Sequence, residues 1–216
     1  MISTIDKIRD EFRIKLLSGT FVIDKTGVKT VDIIGAKFLA NEPFIFGTPN
    51  QDYIRRELAW YESQSRNVYD IEEPVPLIWK KCASPEGLIN SNYGWCIYSK
   101  ENGSQYDNVL KELRQNSESR RGQMIYTRPS MHSDFNTDGM SDFMCCSNTT
   151  HFIRSGELET TVNFRSQDAV FGYNNDYAFM KYVHDKLAND LNIRPGNIHW
   201  FASSLHIYER HFKFIK

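Results

Sequence analysis

The stretch between Leu158 and Glu209 changes its hydrophobic period twice, and this constrains the fold more than any other feature of the chain. Leu158 to Phe164 reads as a strand, with Ser155-Gly156-Glu157 before it as a hairpin turn. Asn175 to Leu191 then sets Phe179, Val183, Leu187 and Leu191 on one helical stripe, which Asn192 and Pro195-Gly196 bring to an end. Asn197 to Glu209 returns to alternation and reads as a second strand, so that Ser204, His206 and Tyr208 project from one face. An amphipathic helix among half-apolar strands buries its stripe only against a sheet. The pattern predicts an α+β domain with helices packed on a mainly antiparallel or mixed sheet.

The rest of the chain fits that class. Ser3 to Leu17 places Ile5, Ile8, Phe12 and Leu16 on one helical stripe stopped by Gly19. Phe21 to Asp24 and Val31 to Ile34 are β-rich runs around the turn Lys25-Thr26-Gly27-Val28. Asn50 is placed to cap a helix through Ser65 that carries Ile54, Leu58 and Tyr61, and Tyr106 to Arg114 is a short amphipathic helix. Gln123 to Thr127, Asp142 to Cys145 and His151 to Arg154 read as strands. No linker or internal repeat interrupts the 216 residues, a length that suits one domain.

Composition excludes several classes of function. Lys and Arg total 26 against 27 Asp and Glu, a net charge of -1, which argues against a bulk nucleic-acid coat or a polybasic membrane binder but allows a local basic site. No apolar run approaches the roughly 20 residues of a membrane span. Met1 to Arg13 lacks the layout of a signal peptide. Cys82, Cys96, Cys145 and Cys146 lack zinc-site spacing, and neighbours such as Cys145 and Cys146 do not easily bridge. Free thiols in a reduced, cytosolic compartment are expected, with no metal.

Several residue groups invite chemistry. Cys145 reads either as a nucleophile or as a buried apolar cysteine, and Cys146 beside it points the other way on a strand. Arg165 and Ser166 are placed to grip a phosphate and Asp168 to receive donors from a heterocycle, against the plainer reading of a polar turn. Arg120 and Arg121 form a second cationic pair, His206 and Tyr208 a clamp for a sugar hydroxyl. Glu57 lies within an amphipathic helix. Asp176, at the start of the long helix, equally suits charge complementation of the helix end.

Taken in order, Asp24-Lys25-Thr26-Gly27, Arg56-Glu57-Leu58-Ala59-Trp60, Ser91-Asn92-Tyr93-Gly94, Ser119-Arg120-Arg121, Arg165-Ser166-Gln167-Asp168 and Leu205-His206-Ile207-Tyr208-Glu209-Arg210-His211 resemble the thymidylate synthase superfamily. Within it, FVIDKTGVKT, NEPFIFG, INSNYGW, IYTRPSM, DGMSDFMC and NDYA are most similar to its phage-type branch that hydroxymethylates deoxycytidylate (dCMP). The resemblance implies a thymidylate synthase-like fold over residues 1–216 and a homodimer joined sheet to sheet. It implies transfer of a one-carbon unit from 5,10-methylenetetrahydrofolate to C5 of dCMP, in the cytoplasm of a host if phage-encoded.

By the same resemblance Cys145 matches the nucleophile and Glu57 the carboxylate that organises proton transfer. Lys25, Arg165 and Ser166 match the phosphate site, with Arg120 and Arg121 lent by the partner protomer. His206 and Tyr208 match the deoxyribose clamp, and Asp168, Trp79 and Tyr93 positions near the folate. Asp176 stands where thymidylate synthases carry Asn, and a carboxyl sharing a proton with N3 suits cytosine. Asp176→Asn is therefore expected to shift preference toward dUMP. The chain stops at Lys216, short for that family, which bears on closure over the folate. A dUMP-using methylase or hydroxymethylase, and a non-catalytic nucleotide- or RNA-binding relative, are the alternatives.

Overall fold

The structure, a computed structural model, describes residues 3–24 and 27–215. Helix α1 (Ile5–Leu17) starts at Thr4, whose hydroxyl accepts from the Lys7 N–H, and buries Ile5, Ile8 and Phe12. Strands β1 (Val22–Ile23) and β2 (Lys29–Leu39) pair antiparallel. Helix α2 (Gln51–Ser63) is capped by Asn50 as expected, its side chain accepting from the Tyr53 N–H at 3.1 Å. Short helices α3 (Leu77–Cys82) and α4 (Tyr93–Tyr98) follow, then α5 (Gln105–Gln115), β3 (Gln123–Ile125) and α6 (Met131–Asp134). The C-terminal half runs β4 (Cys146–Arg154), β5 (Glu157–Phe164), β6 (Gln167–Asp168), α7 (Gly172–Leu191) and β7 (Arg194–Tyr208).

The expected mixed sheet is present. Its order among the described residues is β1-β2-β7-β5-β4-β3, with β6 also on β7. Neighbours are antiparallel except that β5 and β6 run parallel to β7, the connection through α7 making this possible. Trp60, Trp200, Tyr173, Phe12, Phe38, Phe164 and Phe179 are among the largest fully buried side chains. On α7 the stripe Phe179, Val183 and Leu187 is buried, and Leu191 packs at its margin.

Three expectations need correction. Asp142 to Cys145 is not a strand; β4 begins at Cys146. The Asp142 carboxylate takes the N–H groups of Asn90 and Ser91, each at 2.7 Å, and the Ser91 hydroxyl at 2.7 Å. The Asp142 side chain, not a strand ladder, anchors this loop. Helix α7 starts at Gly172 rather than Asn175, because the Asp168 carboxylate accepts from the backbone of Val170, Phe171 and Gly172. Asp176 therefore lies in the second turn, and Asp168 fills the role considered for it at the helix start. Pro195 and Gly196 do not end the helix. Asn192, in the left-handed region at φ 56°, does so, and both residues belong to β7.

Gly94 marks a close approach between helices. A Cβ there would lie 1.8 Å from the Tyr61 carbonyl oxygen of α2. Gly94→Ala should cost about 3 kcal/mol through forced separation of α2 and α4, read as a lowered urea midpoint.

A buried polar chain joins the sheet to α7. Thr149 Oγ1 lies 3.0 Å from His151 Nε2, His151 Nδ1 2.9 Å from Thr160 Oγ1, and Thr160 Oγ1 2.8 Å from His184 Nδ1. Burial lowers both imidazoles, His151 to about 3. A depressed folded value means the unfolded chain takes the proton first, so stability is lost as pH falls from 6.5 toward 3. Between pH 7.5 and 5.0, His151 alone should cost about 2 kcal/mol, measured by chemical denaturation at the two pH values.

Candidate active site

Cys145 is the last residue of the loop that Asp142 anchors, directly before β4. It is half-buried, whereas Cys146 is completely buried, so the two thiols face different surroundings. All four cysteines are free thiols. Arg165 donates through Nη2 to Cys145 Sγ at 3.7 Å. Its Nε and Nη2 also donate to the carbonyls of Met144 (2.8 Å) and Phe143 (2.6 Å), and its guanidinium lies 4.6 Å from the Phe143 ring centroid. Nη1 is not engaged in these bonds and Arg165 is exposed, so the residue keeps donor capacity for an anion while bracing the loop that carries Cys145. Burial pushes the thiol up to about 11, with the Arg165 charge acting in the opposite direction. Arg165→Met should therefore weaken binding of an anionic substrate and raise the Cys145 pKa further, read by the pH dependence of thiol alkylation.

Two buried carboxyl groups stand on helices: the Asp176 charge acts on this thiol, and the Glu57 charge acts on Asp176. Glu57, on the buried side of α2, is 4% exposed. Tyr53 Oη donates to its Oε1, and Trp79 Nε1 donates to that Tyr53 oxygen at 2.7 Å. Burial raises Glu57 to about 7. Asp176 on α7 accepts from Gln167 Nε2 at 2.6 Å. Burial raises it to about 8, with the Gln167 hydrogen bond lowering it and the Glu57 and Asp168 charges raising it. Carboxyls that hold a proton near neutrality suit proton transfer. Both folded values lie above those of an unfolded chain. Their stabilising contribution is complete below about pH 4 and is lost as pH rises through 7 and 8. Glu57→Gln should thus melt higher than wild type at pH 9 by several degrees, and this advantage should vanish below about pH 4.

The remaining residues divide by location. Tyr93 is buried, 5.5 Å from the ring of Tyr61 and 5.4 Å from that of Tyr126, forming an aromatic wall whose hydroxyl feels the Asp176 charge. His206 and Tyr208 meet edge to face at 4.9 Å on β7, and the Arg210 guanidinium lies 4.2 Å from the Tyr208 ring centroid. Burial lowers His206, while burial and the Asp168 charge raise Tyr208. Asp168 lies opposite His206 in the β6–β7 register. Ser166 is half-buried beside Arg165. Arg120 and Arg121 are exposed in the link between α5 and β3, where Arg121 pairs with Glu112 at 2.9 Å. Lys25 lies outside the described residues.

Sequence reasoning passed over Tyr53, Asp142 and Gln167. Their partners lie on other segments or one helical turn away, and a side-chain hydrogen bond leaves no periodic trace. No group of three or more potential metal-binding side chains occurs among the described residues. No helix among them is long and apolar enough to cross a membrane.

A cysteine braced by an arginine, with two proton-holding carboxyls over a mixed sheet, is the setting in which the relatives of this chain enter. Residues 13–216 match thymidylate synthase, and the chain belongs to that family. Over 216 residues it is 54% identical to the deoxycytidylate 5-hydroxymethyltransferase of Enterobacteria phage T4, an alignment covering 97% of this chain and 88% of the relative. The enzymes of that name from phages T2 and T6 match to the same extent.

Proposed function

We propose that the chain is a deoxycytidylate hydroxymethylase, converting dCMP, 5,10-methylenetetrahydrofolate and water into 5-hydroxymethyl-dCMP and tetrahydrofolate. The observation that carries this reading is the buried Asp176 carboxyl on α7, which accepts from Gln167, is pushed up to about 8 by burial and acts on the Cys145 thiol through its charge. Cytosine offers an acceptor at N3 and a donor at its 4-amino group, and a neutral carboxyl supplies the matching donor and acceptor.

Cys145 adds through sulfur to C6 of the base, and Asp176 passes its proton to N3 as the ring loses aromaticity. C5 becomes a carbon nucleophile and later releases its proton, for which Glu57, held by Tyr53 and Trp79, is the organising base. With the one-carbon unit joined to C5 and tetrahydrofolate departed, water would add to the exocyclic carbon, and departure of the Cys145 thiolate, with return of the N3 proton to Asp176, would restore the ring. Arg165 and Ser166 hold the phosphate, with Lys25 from the same chain and Arg120 and Arg121 from the partner of a homodimer. His206 and Tyr208 hold the sugar.

The folate, when bound, supplies the one-carbon unit at the oxidation level of formaldehyde. The residues present suit its flat rings: Leu77 and Ile78 are exposed apolar side chains beside half-buried Trp79, Tyr93 lies in the aromatic wall, and Asp168 offers a carboxylate. The protein acts in the host cytoplasm. Mass analysis of products from dCMP and dUMP with methylenetetrahydrofolate tests the reading. A hydroxymethylated dCMP is expected. A methylated product, a preference for dUMP, or binding without C5 hydrogen exchange would overturn it.

A further inference from the structure

Asp176 by itself does not choose between bases. A neutral carboxyl carries one donor and one acceptor. Moving its proton from one oxygen to the other turns a partner for cytosine into a partner for uracil, which presents N3–H and a carbonyl at C4. Discrimination needs a neighbour that decides which oxygen holds the proton.

Gln167 is such a neighbour. It lies on β6, is 2% exposed, and donates through Nε2 to Asp176 Oδ2 at 2.6 Å. The start of α7 encloses the pair: a Cβ on Gly172 would stand 3.3 Å from Gln167 Nε2 and 3.9 Å from Asp176 Oδ2. Gln167 Oε1 is buried with no hydrogen-bond partner among the described residues, so the amide satisfies the carboxyl at the expense of its own acceptor. An amide rotated by half a turn would set Oε1 against Oδ2, an arrangement suited only to a carboxyl protonated on Oδ2.

We propose that Gln167 is the specificity-determining positioning residue of this site. By keeping Oδ2 as an acceptor, it confines the carboxyl proton to Oδ1, matching the 4-amino group and N3 of cytosine and opposing O4 and N3–H of uracil. Oδ2 then accepts from Gln167 and from the 4-amino group, and Oδ1–H donates to N3. Uracil would set its O4 against Oδ2, two acceptors facing each other in a site with little water to relieve them. The inference rests on the dCMP reading above.

Gln167→Met keeps the length of the side chain and removes the N–H. Steady-state kinetics with dCMP and dUMP across pH, and calorimetric binding of each nucleotide without folate, give the test. The preference of kcat/KM for dCMP over dUMP should fall at least about tenfold. The alkaline limb with dCMP should move to higher pH, because the lost N–H favoured the carboxylate, while the Glu57 and Asp168 charges still push Asp176 upward. If Gln167→Met does not fold, Gln167→Glu decides. The introduced carboxyl donates only while protonated, so preference for dCMP should persist at pH 6 and fall at pH 9 more than in wild type. A folded Gln167→Met protein with unchanged preference and limb overturns the inference. So does a Gln167→Glu protein whose preference follows pH as wild type does. Wild type that binds dCMP in preference to dUMP but forms no hydroxymethyl product overturns the functional reading alone, and the binding comparison still decides the part played by Gln167.

Discussion

Asp176→Asn should lower turnover of dCMP by about 10²–10⁴-fold, the range expected when a positioned proton donor is removed, while dCMP binding falls much less. An amide still offers one N–H and one carbonyl to cytosine, so ground-state pairing survives. It cannot deliver a proton to N3 as sulfur adds to C6, so the loss appears in kcat. The ratio of rates therefore shifts toward dUMP. The alkaline limb attributed to Asp176, about pH 8, should disappear with the carboxyl. Gln167 limits how far the shift goes. Its Nε2–H calls for an acceptor at the Oδ2 position and turns the new amide toward the cytosine pattern. Combining Asp176→Asn with Gln167→Met frees that amide to rotate, and dUMP conversion should rise beyond the single replacement. Rates, binding constants and pH profiles for the two nucleotides check each part. An Asp176→Asn protein with wild-type kcat on dCMP would remove the carboxyl from the mechanism.

Cys145→Ala should abolish release of the C5 hydrogen, a loss of at least about 10⁴-fold, since nothing else in the site forms the bond to C6. Cys146 offers no substitute: it is completely buried and its thiol is pushed well above the usual range. In the nucleotide-free protein the Cys145 thiol, at about 11, is mostly protonated at neutral pH, and the Arg165 charge is the leading influence toward thiolate. On the proposed mechanism, attack depends on losing that proton as the bond forms, at the end of the loop that Asp142 and Arg165 brace. Tritium release from dCMP labelled at C5 measures this directly. Exchange by Cys145→Ala at more than a trace of the wild-type rate would refute the assignment.

Legibility followed the range of the forces involved. Helices α1, α2, α5 and α7 were readable because each buries a stripe that recurs along its own sequence, and Asn50 and Asn192 act on their own helix ends. The hairpin at Ser155-Gly156 was readable for the same reason, both residues taking the positive φ that a tight turn requires. Helices α3, α4 and α6 are too short to show a period. The segment from Asp142 to Cys145 carries a short apolar run that reads like a strand. It became a braced loop because its partners, Asn90, Ser91 and Arg165, lie far away in sequence.

The α+β class, the likeness of the chain to thymidylate synthases and the absence of excess charge over the whole chain were legible without the structure. Those properties are carried by local periodicity and by residue identity. The raised pKa values of Glu57 and Asp176, the bracing of Cys145 and the hydrogen bond between Gln167 and Asp176 arise from the tertiary structure. Each depends on burial or on a hydrogen bond between separate elements. The desolvation that raises a carboxyl, and the amide N–H that donates to one, come into being only when α2, β6 and α7 pack together.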